Sequence, residues 1–467
     1  MKNKIGVNKV LKNASIKSED ERSLGLFDLS ILGIGAMIGT GILVLTGIVA
    51  ATTAGPAVIF SFLVAAVASG LIGLCYSELS TSIPNSGSAY IYAWVTIGQV
   101  MAFFAGWTLL GVYITTTATV ANGWTGYVHS FLAEFGVHLP KIFLAAPSAG
   151  GIMNLPTIIM ILFITLVLTK GTSESKLLNN ILVIIKLTVI FLFIIVSVKH
   201  IRPAHWHPFF PYGGRGIMVG ASTVFFTFLG FDALATSAED AKNVQHNLPR
   251  AIIISLVVST ALYVAVSLVM TGVVPYKELN VAEAMAFVLL EKGHTLTAQI
   301  VSAGAILGIM AVVLAFVYAG ANITMSMSRG GFLPKQLAHL NSKSHSPNRA
   351  LWLNGLLAAI LAGFMDMRNL ALIANVGSLA VFSLISLIVI LLRKQQPDLP
   401  RPFKVPFGNI LPILSIVVCV VLMINITLPA WISYFIWLGI GLLFYLGYSV
   451  HHVDVNQDRR VNLFRAR

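Results

Sequence analysis

Few residues in this chain are placed to do chemistry, and those few sit inside long apolar runs. Residues 32–45 read LGIGAMIGTGILVL and hold Gly33, Gly35, Gly39 and Gly41 within nine positions. Each glycine costs a helix roughly 1 kcal/mol relative to alanine. Suppose this helix unwinds near Met37 and restarts near Gly39. The N–H groups of Gly39, Thr40 and Gly41 then open a new helix, and its positive dipole end suits a carboxylate. Thr40 adds a hydroxyl. A second irregular stretch, FFTFLGFDA at 225–233, places Gly230 and Asp232 in an aromatic run. Carbonyls freed near Met37 and from Phe226 to Leu229 can accept from an ammonium group. Donors on one side and acceptors on the other fit the backbone of a zwitterionic amino acid. Phe226, Phe228 and Phe231 are then placed to enclose its side chain.

Each of these features also has a purely structural use. Gly35 and Gly39 form a small-xxx-small pair of the kind that lets membrane helices approach closely, and spacing alone does not separate packing from a break. The same glycines are not a dinucleotide fingerprint, because the spacing differs and no strand precedes them. Asp232 reads as an N-cap for the second half of its span. Lys186, alone in ILVIIKLTVIF, either pairs with carbonyls for structure or carries a coupling proton, since a buried lysine sheds its proton more easily than an exposed one. No nucleophile–base pair, metal-ligand cluster or phosphate loop stands out, so neither an enzyme nor a cofactor is expected.

The elements that hold these residues are membrane helices. The 467 residues are 57% hydrophobic and 10% charged, with a mean hydropathy of +0.87. That composition describes a multi-span helical membrane protein. At about 20 residues per span, about 12 spans are expected. They fall at 27–51, 57–81, 90–125, 153–170, 177–198, 216–239, 250–273, 296–327, 350–364, 369–392, 409–427 and 430–450. The division between the last two rests mainly on Pro429. Polar tails are expected at 1–26 and 451–467. Segment 275–295 has the look of a short surface helix. The proline-rich 393–408 reads as a loop against the membrane surface. Cys75 and Cys419 sit in apolar runs and read as buried small hydrophobes.

The net charge of +13 reflects loops rather than nucleic acid binding. With both termini cytoplasmic, 22 Lys and Arg fall inside and 7 outside, as the positive-inside rule requires. Only Lys186 lies mid-span. A charge at the bilayer centre costs at least about 2.5–3.5 kcal/mol on insertion scales, which marks Lys186 and Asp232 as functional candidates. The first and sixth spans each carry an interruption, five spans apart. Corresponding discontinuous helices in two halves point to a transporter built from inverted repeats.

Several motifs resemble those of the amino acid–polyamine–organocation superfamily, in its bacterial branch related to cationic amino acid transporters. They are GAMIGTGILVLTG (35–47), YSELSTSIPNSGSAYIYAW (76–94), FFTFLGFDALATSAED (225–240), NLPRAI (247–252), MSRGGFLPK (327–335) and RKQQPDLPRPFKVP (393–406). The resemblance implies a leucine-transporter-like five-plus-five inverted repeat over 27–198 and 216–392, two further spans at 409–450, and alternating access. By motif, Thr40 and Gly41 match carboxylate-binding residues. Met37, Phe226 and Leu229 match positions whose carbonyls take the amine. Lys186 falls where proton-coupled members carry a lysine in place of a sodium ion. The chain departs from relatives at Thr108 and Val112, where acids are common. With no acid near the pocket except Asp232, neutral amino acids are the expected substrates, and Phe316 restricts their size. The expectation is a proton-coupled permease in the cell membrane. An amino acid exchanger and a non-transporting amino acid sensor are the alternatives.

Overall fold

A computed structural model describes residues 24–83, 88–171, 176–236, 241–342, 344 and 346–453. Most of the expected tails, 1–23 and 454–467, lie outside the described residues, as do Ser237 to Asp240 at the end of the sixth expected span. Every element of regular structure among the described residues is a helix. Among the described residues, seven helical stretches are long and apolar enough to cross a membrane, and three shorter apolar helices join them. The molecule is a multi-pass, all-helical membrane protein.

The first expected span is discontinuous. Helix α1 (Leu26–Met37) stops, and residues 41–54 continue as wide π turns, Gly41–Leu45 and Ala50–Ala54, around one α turn. Helix α2 (Val58–Ser82) follows. The expected span 90–125 is two helices, α3 (Ser88–Thr96) and α4 (Gln99–Glu134). The reason is Gly98, whose φ of +133° no helix can accommodate. Then come α5 (Leu155–Thr169), α6 (Lys176–Ser197), α7 (Gly213–Val224) and the short α8 (Phe231–Thr236). Beyond them lie α9 (Val244–Val273), α10 (Ala284–Glu291), α11 (Thr295–Arg329), α12 (Asn348–Phe364) and α13 (Met367–Gln395). Helices α14 (Ile410–Ile424) and α15 (Leu428–Phe444) end the bundle, with Pro429 in the first turn of α15, where its missing N–H is harmless.

Burial sorts these helices. α4 runs through the middle, packed on α11 and α13. α6 turns Ile181, Ile184, Phe191 and Ile195 outward and keeps Lys186 inside at 4% exposure. Segment 275–295 differs from expectation. α10 is no surface helix: Ala284, Met285, Ala286, Val288 and Leu289 are fully buried. Its run of small and apolar side chains fits against residues 41–54, where Ala284 would touch any side chain placed at Gly47. Glu283, just before α10 and outside the spanning segments, has its carboxyl pKa raised by burial.

One end of the bundle is tied by a buried ion pair. Glu78, 2% exposed near the end of α2, accepts from Arg393 Nε at 2.8 Å and Nη2 at 2.5 Å. It also accepts from the backbone of Val405 at 2.7 Å. Arg401 lies 3.7 Å from the same carboxylate and donates to the carbonyls of Leu392, Gln396, Pro397 and Leu399. Of the segment expected as a loop, 393–395 still belong to α13; Arg393 from that last turn and Arg401 from the loop beyond it both turn inward to Glu78 rather than toward lipid headgroups. At the same end, the Lys242 N–H donates to the Leu24 carbonyl at 2.8 Å and anchors the start of α1.

Two outcomes are expected. Breaking a buried pair leaves an uncompensated charge, so Glu78→Ala should cost about 3–5 kcal/mol and lower the melting temperature in detergent; an unchanged melting temperature would mean that the loop is held by other contacts. For Glu283, the folded state holds its proton more tightly than the unfolded chain does. The associated stability is full at low pH and is lost as pH rises from the ordinary carboxylate range through the raised value. Glu283→Gln should flatten that slope in a melting-temperature series across pH.

Candidate functional site at the paired helix breaks

The break in the first span is defined by its hydrogen bonds. The Ile38 N–H still reaches the Ile34 carbonyl at 2.9 Å, but Ile38 itself is extended, with ψ of 99°. The next helical bond of this span runs from the Leu43 N–H to the Gly39 carbonyl at 3.3 Å. The carbonyls of Gly35 and Met37 are thereby freed, and lipid could not satisfy them. Lys186 Nζ donates to Gly35 O at 3.0 Å. The Tyr263 hydroxyl reaches Met37 O at 2.9 Å. On the far side of the break, the N–H groups of Gly39, Thr40 and Gly41 open the resumed helix and have no carbonyl one turn behind them.

The sixth span breaks beside it. α7 tightens into a 3₁₀ turn, Phe225–Phe228, and Leu229 is extended. Gly230 then takes a φ of +123°. A side chain there would strike Ala36 of α1. Asp232 is not a simple N-cap. Its Oδ1 accepts from the Gly230 N–H at 3.1 Å, and its Oδ2 accepts from the Tyr113 hydroxyl of α4 at 3.1 Å. The Thr227 carbonyl lies 2.7 Å from the same Tyr263 hydroxyl that reaches Met37. One phenol thus bridges both breaks, with a single proton to give to two carbonyls.

Between the breaks lies a small cavity. The first break lines it with Ala36, Met37, Gly39, Thr40 and Gly41, and the sixth with Phe226, Thr227 and Leu229. Thr116 and Val120 of α4 and Val312 and Phe316 of α11 close the other wall. The volume open to the centre of a water molecule is ≈ 10 Å³, about what one water needs. A larger ligand requires the walls to part.

Of the residues expected to line a site, Met37, Gly39, Thr40, Gly41, Phe226 and Leu229 do so. Phe228 and Phe231 do not. Phe228 packs on Tyr263 with centroids 5.1 Å apart, and Phe231 packs between Tyr76 and Phe382. In a 3₁₀ turn, residues three apart eclipse. Phe226 and Leu229 therefore share the cavity face while Phe228 points elsewhere. Lys186 sits behind the break, its stem against Gly308 of α11. Sequence reasoning missed Thr116, Thr227, Val120, Val312 and Tyr263. The threonine run 115–117 inside an apolar helix was the one visible signal.

The sequence matches the family described as "Amino acid permease" over residues 24–445. It is 44% identical to the methylthioribose transporter of Bacillus subtilis over 96% of this chain and 98% of that protein. The branched-chain amino acid permease BcaP of the same organism is 43% identical over 94% of this chain and 95% of its own length. Human cationic amino acid transporter 4 is 33% identical over 84% of this chain and 64% of its length.

The geometry separates two glycines that look alike in the sequence. A Cβ at Gly41 would lie 2.5 Å from Thr227 Cγ2, whereas one at Gly39 would lie 3.3 Å from the nearest atom of Val312. Gly41→Ala should cost about 1–3 kcal/mol of overpacking, and Gly39→Ala clearly less. Thermal melts of the two variants in detergent check the order, and equal losses would contradict the close approach at Gly41.

Proposed function

The chain belongs to the amino acid permease family of the amino acid–polyamine–organocation superfamily, and we propose that it takes up neutral amino acids together with protons by alternating access. The observation that carries this reading is the pair of helix breaks facing one cavity. Helix-opening N–H groups and the Thr40 hydroxyl suit a carboxylate. The carbonyls at Met37 and Phe226 to Leu229 suit an ammonium, since each has a second lone pair to offer. The remaining wall is uncharged, which favours neutral side chains. Names among the relatives agree in part: BcaP is a branched-chain amino acid permease. The methylthioribose transporter, at similar identity, makes that uncharged thiosugar the competitor to include in any substrate screen.

The reading extends to topology. Spans 27–198 and 216–392 form two inverted repeats, 409–450 adds two spans, and both termini face the cytoplasm across the plasma membrane. The Lys and Arg distribution supports the orientation, and the matching breaks support the repeats. Room for one water at the site means that substrate binding requires the first and sixth spans to part from α4 and α11.

Lys186 is the coupling residue in this scheme. Its ammonium makes a charge-assisted bond to Gly35, three residues before Ile38. Loss of the proton weakens that bond and loosens the break. Protonation and substrate binding are then linked, and each strengthens the other by the same factor.

Protein in liposomes should accumulate a neutral amino acid when an inward proton gradient is imposed. Uptake that ignores pH and requires sodium would defeat the coupling. Counterflow without net accumulation would identify an exchanger, and saturable binding without flux a sensor. Lys186→Ala should lose gradient-driven accumulation while retaining a cooperative melt; accumulation equal to wild type would remove Lys186 from the mechanism.

A further inference from the structure

Three threonines line the cavity from three elements: Thr40 from the first break, Thr116 from α4 and Thr227 from the sixth break. All three residues are at most 2% exposed, and none of the three oxygens has a hydrogen-bond partner. Helix α4 supplies a control. Thr115, Thr117 and Thr119 each donate to the carbonyl four residues back, at 2.7, 2.8 and 2.7 Å. That is the usual recourse of threonine in an apolar helix. Thr116, in the middle of this run, makes no such bond and lines the cavity. A buried hydroxyl without a partner carries a desolvation cost that a ligand can relieve.

The amino acid reading above accounts for only one of the three. Thr40 opens the resumed helix and serves the carboxylate, while freed carbonyls serve the ammonium. Thr116 and Thr227 are left over. Thr227 comes from the sixth break and Thr116 from the wall opposite, beside Val120, Val312 and Phe316, so a substrate side chain lying in the cavity has one on each side. We propose that Thr116 and Thr227 form a side-chain subsite for a hydroxyl, so that the protein selects small hydroxylated amino acids such as threonine and serine over apolar isosteres. The inference rests on the amino acid reading. A substrate hydroxyl can donate to one threonine and accept from the other. The methyl of valine in the same place leaves both unpaired. A site built to bond a hydroxyl discriminates strongly against the analogue that lacks it, because the site's own polar groups are stranded. Val312 and Phe316 limit the length of what fits.

Initial-rate uptake of L-threonine and its isostere L-valine into liposomes tests this. Wild-type protein should show kcat/KM for threonine at least about tenfold above that for valine. Thr116→Val should bring the ratio close to one, mainly by lowering the threonine value, and Thr116→Ser should preserve it. A wild-type preference for valine, or a Thr116→Val variant that lowers both substrates equally, would overturn the subsite. The wild-type ratio decides by itself should Thr116→Val fail to fold. Wild-type protein that moves no amino acid at all would instead refute the reading on which the subsite rests.

Discussion

A helix that breaks inside a membrane must have its freed backbone groups met by the protein, because lipid cannot meet them. That constraint organises this molecule. Lys186 comes from α6 to Gly35, Tyr263 from α9 to Met37 and Thr227, and Asp232 folds back on Gly230 with Tyr113 of α4 behind it. Each partner is held by a different helix. Remove the breaks and these polar groups would be costly inclusions in an apolar bundle. Keep the breaks and they become necessary. The charges singled out by the sequence are therefore consequences of the unwound segments, and the unwound segments are what offer free donors and acceptors to a ligand.

The satisfaction is incomplete in a way that suits movement. Tyr263 has one proton for two carbonyls. Gly41 lies against Thr227 and Gly230 against Ala36, so the two broken spans touch directly. Packed interfaces of this kind shift between discrete arrangements rather than deform smoothly. The cavity between them has room for about one water, so a larger ligand requires the two spans to part from their neighbours. At the far end of α2, the Glu78 clamp and the backbone tie between Leu24 and Lys242 hold the surrounding frame, against which a change at the breaks can act.

How much of this was legible in the sequence depended on range. Glycine density announced the first break, and Gly230 beside Asp232 the sixth, because both signals are local. The lone Lys186 was equally plain. The membrane fold followed from composition, and Pro429 divided the last two helices correctly. The errors were of two kinds. The run Phe225 to Phe228 holds three phenylalanines around Thr227, and nothing in it tells which aromatic faces inward; the 3₁₀ turn turns Phe228 away from the cavity, and Phe231, in α8, packs between Tyr76 and Phe382 instead. Long-range partners were invisible. Tyr263 meets Met37 across 226 residues, and Arg393 meets Glu78 across 315. No periodicity encodes such pairings. α10 differs from its expected surface position for a related reason: its apolar residues are covered by α11 and by residues 41–54, neither of which local sequence reveals.

The central claim is that the two breaks together read an amino acid backbone, carboxylate by N–H donors and ammonium by carbonyls. Ligand-induced thermal stabilisation of the purified protein tests it most directly. A ligand at 100 times its Kd adds about 2.7 kcal/mol to the folded state. The neutral amino acid that stabilises the protein most should be compared with its methyl ester and with its analogue lacking the amino group. The account predicts a clear shift for the parent and almost none for either derivative. Equal stabilisation by the ester or by the deaminated acid would contradict it.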